Sequence, residues 1–259
     1  MSRSPLSTYL QLCTEFYDLE HHRGEPEASF YMDYAKCAGG PILEPMCGTG
    51  RFLLEMLYAG LDIEGFDASP YMLDALREKW AAWPLLRSLQ QKAPVWEQFI
   101  QDFNSDKRYN LIFIPYGSFG LITNHNDIKK SLEILYKHLA PGGKLMLDLE
   151  TVSSVPYPCG IWRRGVNTRP DGSFVAINTF TSYDEQAQLF KSVCRYESIV
   201  NGVVVATQVE DFQQYLYRFN EMDELLKEFN FSSIITYSDY AKIPATNAQT
   251  PLLIYECTK

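Results

Sequence analysis

Basic charge is scarce in this chain of 259 residues: 23 lysines and arginines stand against 32 acidic residues, a formal net charge of −9. A surface that tracks phosphates needs a basic stripe, so nucleic acid is not an expected partner. Short basic pairs such as Lys129-Lys130 and Arg163-Arg164 read as solvated faces. Metal-binding patterns are missing as well. The six cysteines (Cys13, Cys37, Cys47, Cys159, Cys194 and Cys257) form no C-x-x-C, and the histidines form no pair at ligand spacing. His21 and His22 are adjacent and point to different sides of most backbones. No metal site and no disulfide framework are expected, and free thiols in a reducing compartment fit best. The opening stretch MSRSPLSTYLQLCTEF carries no apolar signal core. The longest nearly apolar run, LIFIPYGSFGLI at 111–122, is too short to span a bilayer and is broken by Pro and Gly. The expectation is a cytoplasmic chain with no membrane partner.

What the chain has in quantity is aromatic residues, 14% of the total, with 17 Tyr and 15 Phe. Most should pack the core, and some should line a pocket for a flat or cationic ligand. Residues 1–38 read as two helices. Leu6, Leu10, Cys13, Phe16 and Tyr17 form an apolar stripe in the first, Gly24 and Pro26 break it, and Phe30, Tyr31 and Tyr34 mark the second. From PILEP at 41–45 onward, short apolar strands alternate with helices. GTGRFLLEMLYAG is a turn and helix, LDIEGFDAS a strand, and SPYMLDALREKWAAW a helix capped by Ser69 with Pro70 at its first position. PVWEQF, YNLIFIPYG and KLMLDLE are further strands, with the amphipathic helix DIKKSLEILYKHLA stopped by PGG between the last two. This grammar predicts an α/β fold with a parallel sheet covered on both faces.

Beyond residue 150 the pattern becomes antiparallel. Three long β-rich segments, SFVAINTFTSYD, LFKSVCRYESIV and VVVATQVEDFQQYLYRF, are punctuated by Asp171-Gly172, Asp184-Glu185-Gln186 and Asn201-Gly202, strong hairpin signals. A helix NEMDELLKEF, with Asn220 and Asp223 placed as a capping box, and two terminal strands, FSSIITYSDY and PLLIYECT, close the chain. The predicted units are cap helices at 1–38, a core formed by 39–150 and 218–259, and an antiparallel β insertion at 151–217.

The segment EPMCGTGRF at 44–52 sits where an α/β sheet binds nucleotide-like ligands. A phosphate loop would need a Lys and a hydroxyl after its last Gly, and neither is present. A dinucleotide fingerprint would need Gly or Ala where Leu53 stands. The remaining option is a nucleoside without phosphates: glycines let the backbone approach its tail, and Asp67, after the next strand, takes the ribose hydroxyls. An acid there would also suit the ribose of a nicotinamide cofactor, so Asp67 alone does not discriminate.

Taken together, ILEPMCGTGRF, GFDASPYML, YNLIFIPYGSF and HLAPGGKLMLDLE resemble the class I S-adenosylmethionine-dependent methyltransferases over residues 40–150, and the helix-strand-strand ending at 220–257 fits them too. The resemblance implies a Rossmann-like, doubly wound sheet of seven mostly parallel strands with the last antiparallel, here carrying the inserted β meander and the N-terminal cap helices. It implies S-adenosyl-L-methionine as cofactor. Glu44 would organise the glycine turn near the methionine tail, with Met46, Cys47, Gly48, Thr49, Gly50, Arg51 and Phe52 around it. Asp67 would hold the ribose, Ala68 and Met72 would pack beside the adenine, and Gln98, Phe99 and Ile100 would follow strand three. Phe99 stands where the family typically has an Asp, and Asp102 is the alternative for that role. Met46 stands where the family often has Gly. Pro115 and Tyr116 would face the methyl group, and Tyr17 and Tyr31 would cap the site.

The implied activity is methyl transfer to an amine or hydroxyl of a small molecule, with Tyr116 and His125 as candidate acid-base residues. Tyr17 reads equally as packing and His125 as a helix-start surface residue. Trp162, Tyr183, Tyr196 and Tyr215 are candidates to line the acceptor site, with core packing the competing role for most of them, under an insertion that serves as lid or as the surface of a homodimer. Two readings from other classes compete: an NAD(P)-linked oxidoreductase and a non-catalytic binding or assembly module.

Overall fold

A computed structural model describes residues 9–20, 26–83 and 94–259. Leu6, His21, His22 and Gly24 lie outside the described residues. The cap helices are α1 (Gln11–Glu20) and α2 (Pro26–Cys37). Then follow β1 (Ile42–Pro45), α3 (Leu53–Tyr58), β2 (Ile63–Asp67), α4 (Pro70–Ala82), β3 (Val95–Glu97), β4 (Tyr109–Ile114), α5 (His125–His138) and β5 (Leu139–Glu150). An antiparallel segment holds β6 (Trp162–Thr168), β7 (Phe174–Asp184), β8 (Leu189–Val200) and β9 (Val203–Tyr215). The chain ends with α6 (Glu221–Leu226), β10 (Ser233–Tyr237) and β11 (Leu252–Thr258).

The main sheet has seven strands in the order β10-β11-β5-β4-β1-β2-β3. β1 to β5 pair in parallel, and β11 runs antiparallel to both β5 and β10. Because β1 lies between β2 and β4, successive connections diverge there. Open α/β sheets bind ligands at such a switch point, outside the carboxyl ends of the strands. The strands read as continuous apolar runs because both faces are covered: Leu43, Ile112 and Leu147 are buried in one core cluster, and Ile42, Leu111, Phe113 and Met146 in the other.

One packing detail explains a missing motif. Leu53 occupies the position that a dinucleotide fold gives to Gly or Ala for close helix–strand contact. Here the small residue is on the strand instead. A Cβ at Gly65 of β2 would lie 2.6 Å from Leu53 Cδ1 and 2.8 Å from the Glu44 carbonyl oxygen. The contact is kept with large and small partners exchanged.

The cap expected on α4 holds. Ser69 caps α4 by accepting from the Met72 amide, with Pro70 next. Asn124 caps α5 by accepting from the amides of Asn126 and Asp127. Three expectations are corrected. Asn220 does not cap α6; it has φ 67° and its side chain makes no cap bond. Glu221 instead accepts from the Arg218 amide and the Tyr215 hydroxyl, while Asp223 accepts from Tyr255. The PGG segment does not separate α5 from its strand, because pairing starts with Tyr109 opposite Leu139 and resumes with Leu111 opposite Lys144. Pro141, Gly142 and Gly143 are accommodated as a bulge between those pairs.

The third correction concerns the insertion, which has four strands in the order β6-β7-β8-β9 where three were read. One face of it packs on α1: Leu12, Cys13 and Phe16 cluster with Val175, Cys194 and Tyr196. Glu210 and Gln208 of β9 accept from the amides of Leu10 and Leu12 at 2.6 and 2.7 Å, satisfying donors that a helix start leaves open. Arg169 forks onto Glu15 at 2.5 and 2.9 Å. The other end of α1 reaches the core, where Asp18 pairs with Lys79 of α4 at 2.9 Å. Thus α1 ties the insertion to the main sheet directly above the switch point.

Candidate active site

A cleft of ≈ 800 Å³ opens at that switch point. Its floor is the turn after β1. Met46 adopts φ 59°, a left-handed conformation that glycine takes without steric cost. Gly48 (φ 53°) has only Met72 Sδ near the place a Cβ would fill, at 3.9 Å, so the backbone lies open to a ligand. Gly50 (φ 80°) serves packing, since a Cβ there would strike Leu76 at 2.8 Å.

Two acids define the cradle. Glu44 is buried on β1, and its Oε2 has no hydrogen-bond partner among the described residues. Burial holds its carboxyl well above the usual carboxylate range. An orphaned carboxylate oxygen at the edge of a cleft fits a cationic ligand group such as the ammonium of a methionine tail. Asp67, at the end of β2, accepts from the Gly48 amide on Oδ2 and the Ser69 amide on Oδ1, each at 2.8 Å. Asp67 lines the cleft, and the two oxygens of a carboxylate can accept from both hydroxyls of a vicinal diol. Burial raises Asp67 too, opposed by those amides.

The opposite wall is the turn after β4. Tyr116 also adopts a left-handed backbone, φ 60°, followed by Gly117 at φ 69°. The turn is pinned by a residue that sequence reasoning missed. Asp148 of β5 is fully buried and accepts from the Tyr116 amide at 2.8 Å, from the Tyr240 hydroxyl at 2.7 Å and from the Tyr31 hydroxyl. Burial pushes its carboxyl up to about 6, against the pull of those three donors. The signal was an acid inside the apolar run LMLDLE, because a charge in a central strand has to be paid for by dedicated partners. Glu150, two residues further along the same strand, lines the cleft and was missed in the same way.

Of the residues expected from the sequence, the cleft brings together Tyr17, Glu44, Met46, Cys47, Gly48, Arg51, Phe52, Asp67, Ala68, Met72, Gln98, Phe99, Ile100, Pro115 and Tyr116. Four others do not line it. Tyr31 is fully buried, with its hydroxyl given to Asp148. Thr49 is buried and donates to Asp18 at 2.5 Å. Gly50 faces α4, as above. His125 begins α5 and sets its ring against Tyr215, centroids 5.1 Å apart. Asp102 is also off the cleft, 3.8 Å from Lys130. Arg51 crosses the mouth, its guanidinium 5.1 Å from the Phe52 ring and 5.0 Å from the Tyr116 ring, and it pairs with Glu27. Burial pushes the Tyr17 hydroxyl up to about 12, with Arg51 opposing, so Tyr17 is a neutral phenol at neutral pH. Among the described residues no group of His, Cys, Asp and Glu is arranged to hold a metal ion.

Of the aromatic residues expected near an acceptor, Tyr196 lines a second hollow of ≈ 250 Å³ between α1 and the insertion. Trp162 is 60% exposed on the far face, and Tyr215 is buried against Glu221.

Comparison with known proteins agrees with this geometry. Residues 42–143 match a family model described as a methyltransferase domain. A glycine/sarcosine N-methyltransferase of Halorhodospira halochloris is 31% identical over 128 residues, 49% of this chain and 46% of that one. The CcbJ methyltransferase of Streptomyces caelestis superposes with a TM-score of 0.76 at 17% identity, covering 97% of this chain and 98% of its own. An S-adenosylmethionine-bound amino pentose methyltransferase from Micromonospora echinaspora superposes with a TM-score of 0.67 at 16% identity, covering 98% and 99%. Residues 42–143 thus match a methyltransferase domain, and the chain as a whole has the fold of S-adenosylmethionine-dependent methyltransferases.

Proposed function

We propose that this enzyme methylates an amine or hydroxyl of a small molecule held between the cofactor cradle and the β insertion. The observation that carries this reading is the continuity of the cleft. Tyr9, Tyr17, Glu20, Leu121 and Gln214 line both the cradle cleft and the aromatic hollow beneath the insertion. An acceptor lodged in the hollow would therefore open directly onto the turn at Pro115 and Tyr116.

Bound in the cradle, S-adenosylmethionine supplies a methyl group on a sulfonium, whose neutral thioether is already a good leaving group. The residues then have a positional task. Glu44 receives the ammonium of the tail, Asp67 the ribose hydroxyls, and Ala68, Met72, Phe99 and Ile100 enclose the base. Alignment of this kind supplies about 7–11 kcal/mol of a displacement barrier. Tyr116 stands nearest the reacting centre as the polar side chain of the β4 turn. The helix α1, held by the insertion, excludes water from above.

The nicotinamide reading lacks support, since Leu53 and Gly65 exchange the packing that a pyrophosphate loop requires. Similar proteins act on glycine, sarcosine and an amino pentose, which supports a small nitrogen acceptor for this chain. We divide the chain as cap helices to residue 38, a core of 39–150 and 218–259, and a lid of 151–217. We also assign a homodimer through the outer face of the insertion, where Trp162, Val166, Val193 and Val209 are exposed on neighbouring strands. No helix among the described residues is long and apolar enough to cross a membrane, and all six cysteines are free thiols, which supports a cytoplasmic location. The test is incubation with S-adenosylmethionine and a panel of small amines and alcohols, read as S-adenosylhomocysteine formed. Turnover with an amine or alcohol supports the reading. Turnover only with a protein or nucleic-acid acceptor would overturn it.

A further inference from the structure

We propose that Glu150 selects the acceptor by receiving the ammonium group of an amine carried on a ring-shaped body. The proposal rests on the methyltransferase reading above and narrows it to one class of substrate.

Glu150 is the last residue of β5, and its side chain lines the cleft. It lies directly behind the β4 turn: a Cβ added at Gly117 would be 3.3 Å from Glu150 Cγ and 3.5 Å from Glu150 Oε1. Gly117 follows Tyr116, so this carboxylate stands beside the place where the methyl group must be delivered. It is held from two sides. The Ser154 hydroxyl donates to Oε2 at 3.4 Å, and Gln214 of the insertion comes within 3.4 Å of the same Gly117 position. Burial raises the Glu150 carboxyl above its ordinary value, with Ser154 and Gln214 opposing. Glu150 forms no ion pair among the described residues, so its charge is answered by neutral donors alone.

The charge of the whole cleft points the same way. Among the described residues its lining holds the acids Glu20, Glu44, Asp67, Asp127 and Glu150 and one cation, Arg51, which pairs with Glu27. Glu44 and Asp67 are committed to the cofactor. Of the remaining three, Glu20 ends α1 and Asp127 lies in the first turn of α5, whereas Glu150 is the acid found against Gly117 of the β4 turn. A free amino acid would bring its own carboxylate against this wall and be repelled. An amine without a carboxylate would not. The body of the acceptor is defined by the adjoining hollow, walled by Phe16, Phe190, Tyr196 and Phe212, against which an aromatic ring or the C–H face of a sugar packs.

The experiment is calorimetric titration of the protein saturated with S-adenosylhomocysteine. The probes are benzylamine against benzyl alcohol, glucosamine against N-acetylglucosamine, and glycine. At least one amine is expected to bind about tenfold more tightly than its neutral counterpart and more tightly than glycine, the scale of one charge-assisted contact. In Glu150→Gln, which keeps the side-chain shape and an oxygen for Ser154, that preference is expected to vanish while S-adenosylhomocysteine affinity stays within about twofold. No preference for either amine, or a preference that survives Glu150→Gln, would overturn the proposal. Failure of S-adenosylhomocysteine itself to bind would instead contradict the cofactor site, so the two outcomes are separable.

Discussion

Substituting Asp148→Asn tests the pinned β4 turn and has a magnitude that follows from the structure. The Asp148 carboxyl moves from the 3.8 of a free aspartate to about 6 in the fold. At about 1.4 kcal/mol per pKa unit, holding it ionised costs the folded state about 3 kcal/mol at neutral pH. The sign follows from linkage: between the two values the folded protein binds more protons than the unfolded one, so this contribution to stability is greatest at low pH and is lost as pH rises through about 6. Between about pH 4.5 and pH 7.5 the wild type should lose about 2 kcal/mol from this residue alone. Asn cannot ionise, but its amide NH2 must face one of the donors Tyr31, Tyr240 or the Tyr116 amide, at a cost of about 1–3 kcal/mol. The variant should therefore be the less stable protein at low pH and draw level near neutrality. Urea denaturation at the two pH values, with the wild type alongside, reads the difference of differences. Parallel pH profiles for the two proteins would refute the assignment of a buried, ionising Asp148.

Other perturbations carry comparable expectations. Gly65→Ala places a methyl 2.8 Å from the immobile Glu44 carbonyl and should cost about 1–3 kcal/mol or more in denaturant titration; an unchanged midpoint would refute the exchanged packing with Leu53. Met46→Gly removes left-handed strain of about 1–2 kcal/mol but loses side-chain packing and adds unfolded-state entropy, so stability should change by less than about 1 kcal/mol. A large loss there would mean that the Met46 side chain, not the turn, is what matters. Replacing Gln208 and Glu210 together by Ala removes the acceptors of the Leu10 and Leu12 amides at the start of α1 and should cost about 2 kcal/mol. Hydrogen exchange should then show faster opening of residues 10–14, and undiminished protection would contradict the capping role.

Much of the core was legible because its signals are local. The alternation of short apolar strands with capped helices needs only neighbouring residues, and Ser69-Pro70 behaves as its residue types require. The strand β6 was not legible: its segment follows Pro156, Pro158 and Gly160 and alternates Trp162, Arg164 and Val166 on an outward face, with no apolar run to mark it. The cap at α6 failed because Asn220 has the right chemistry in the wrong backbone, and Glu221 accepts from the Arg218 amide and the Tyr215 hydroxyl instead. At the site, the turn and Asp67 follow from motif and spacing. Tyr31, Thr49 and His125 were misplaced because motif proximity does not say which way a side chain faces. Asp148 and Glu150 belong to no motif; their signal is an acid within a buried strand, which needs dedicated partners.

The most direct measurement is calorimetric titration of the purified protein with S-adenosylmethionine and S-adenosylhomocysteine, with NADH as control and Asp67→Ala in parallel. Saturable binding of both nucleosides, no binding of NADH, and at least about a tenfold loss in Asp67→Ala are expected, since two charge-assisted hydrogen bonds disappear. Absence of binding by either nucleoside, or affinity unchanged in Asp67→Ala, would contradict a cofactor cradle built on Glu44, Gly48 and Asp67.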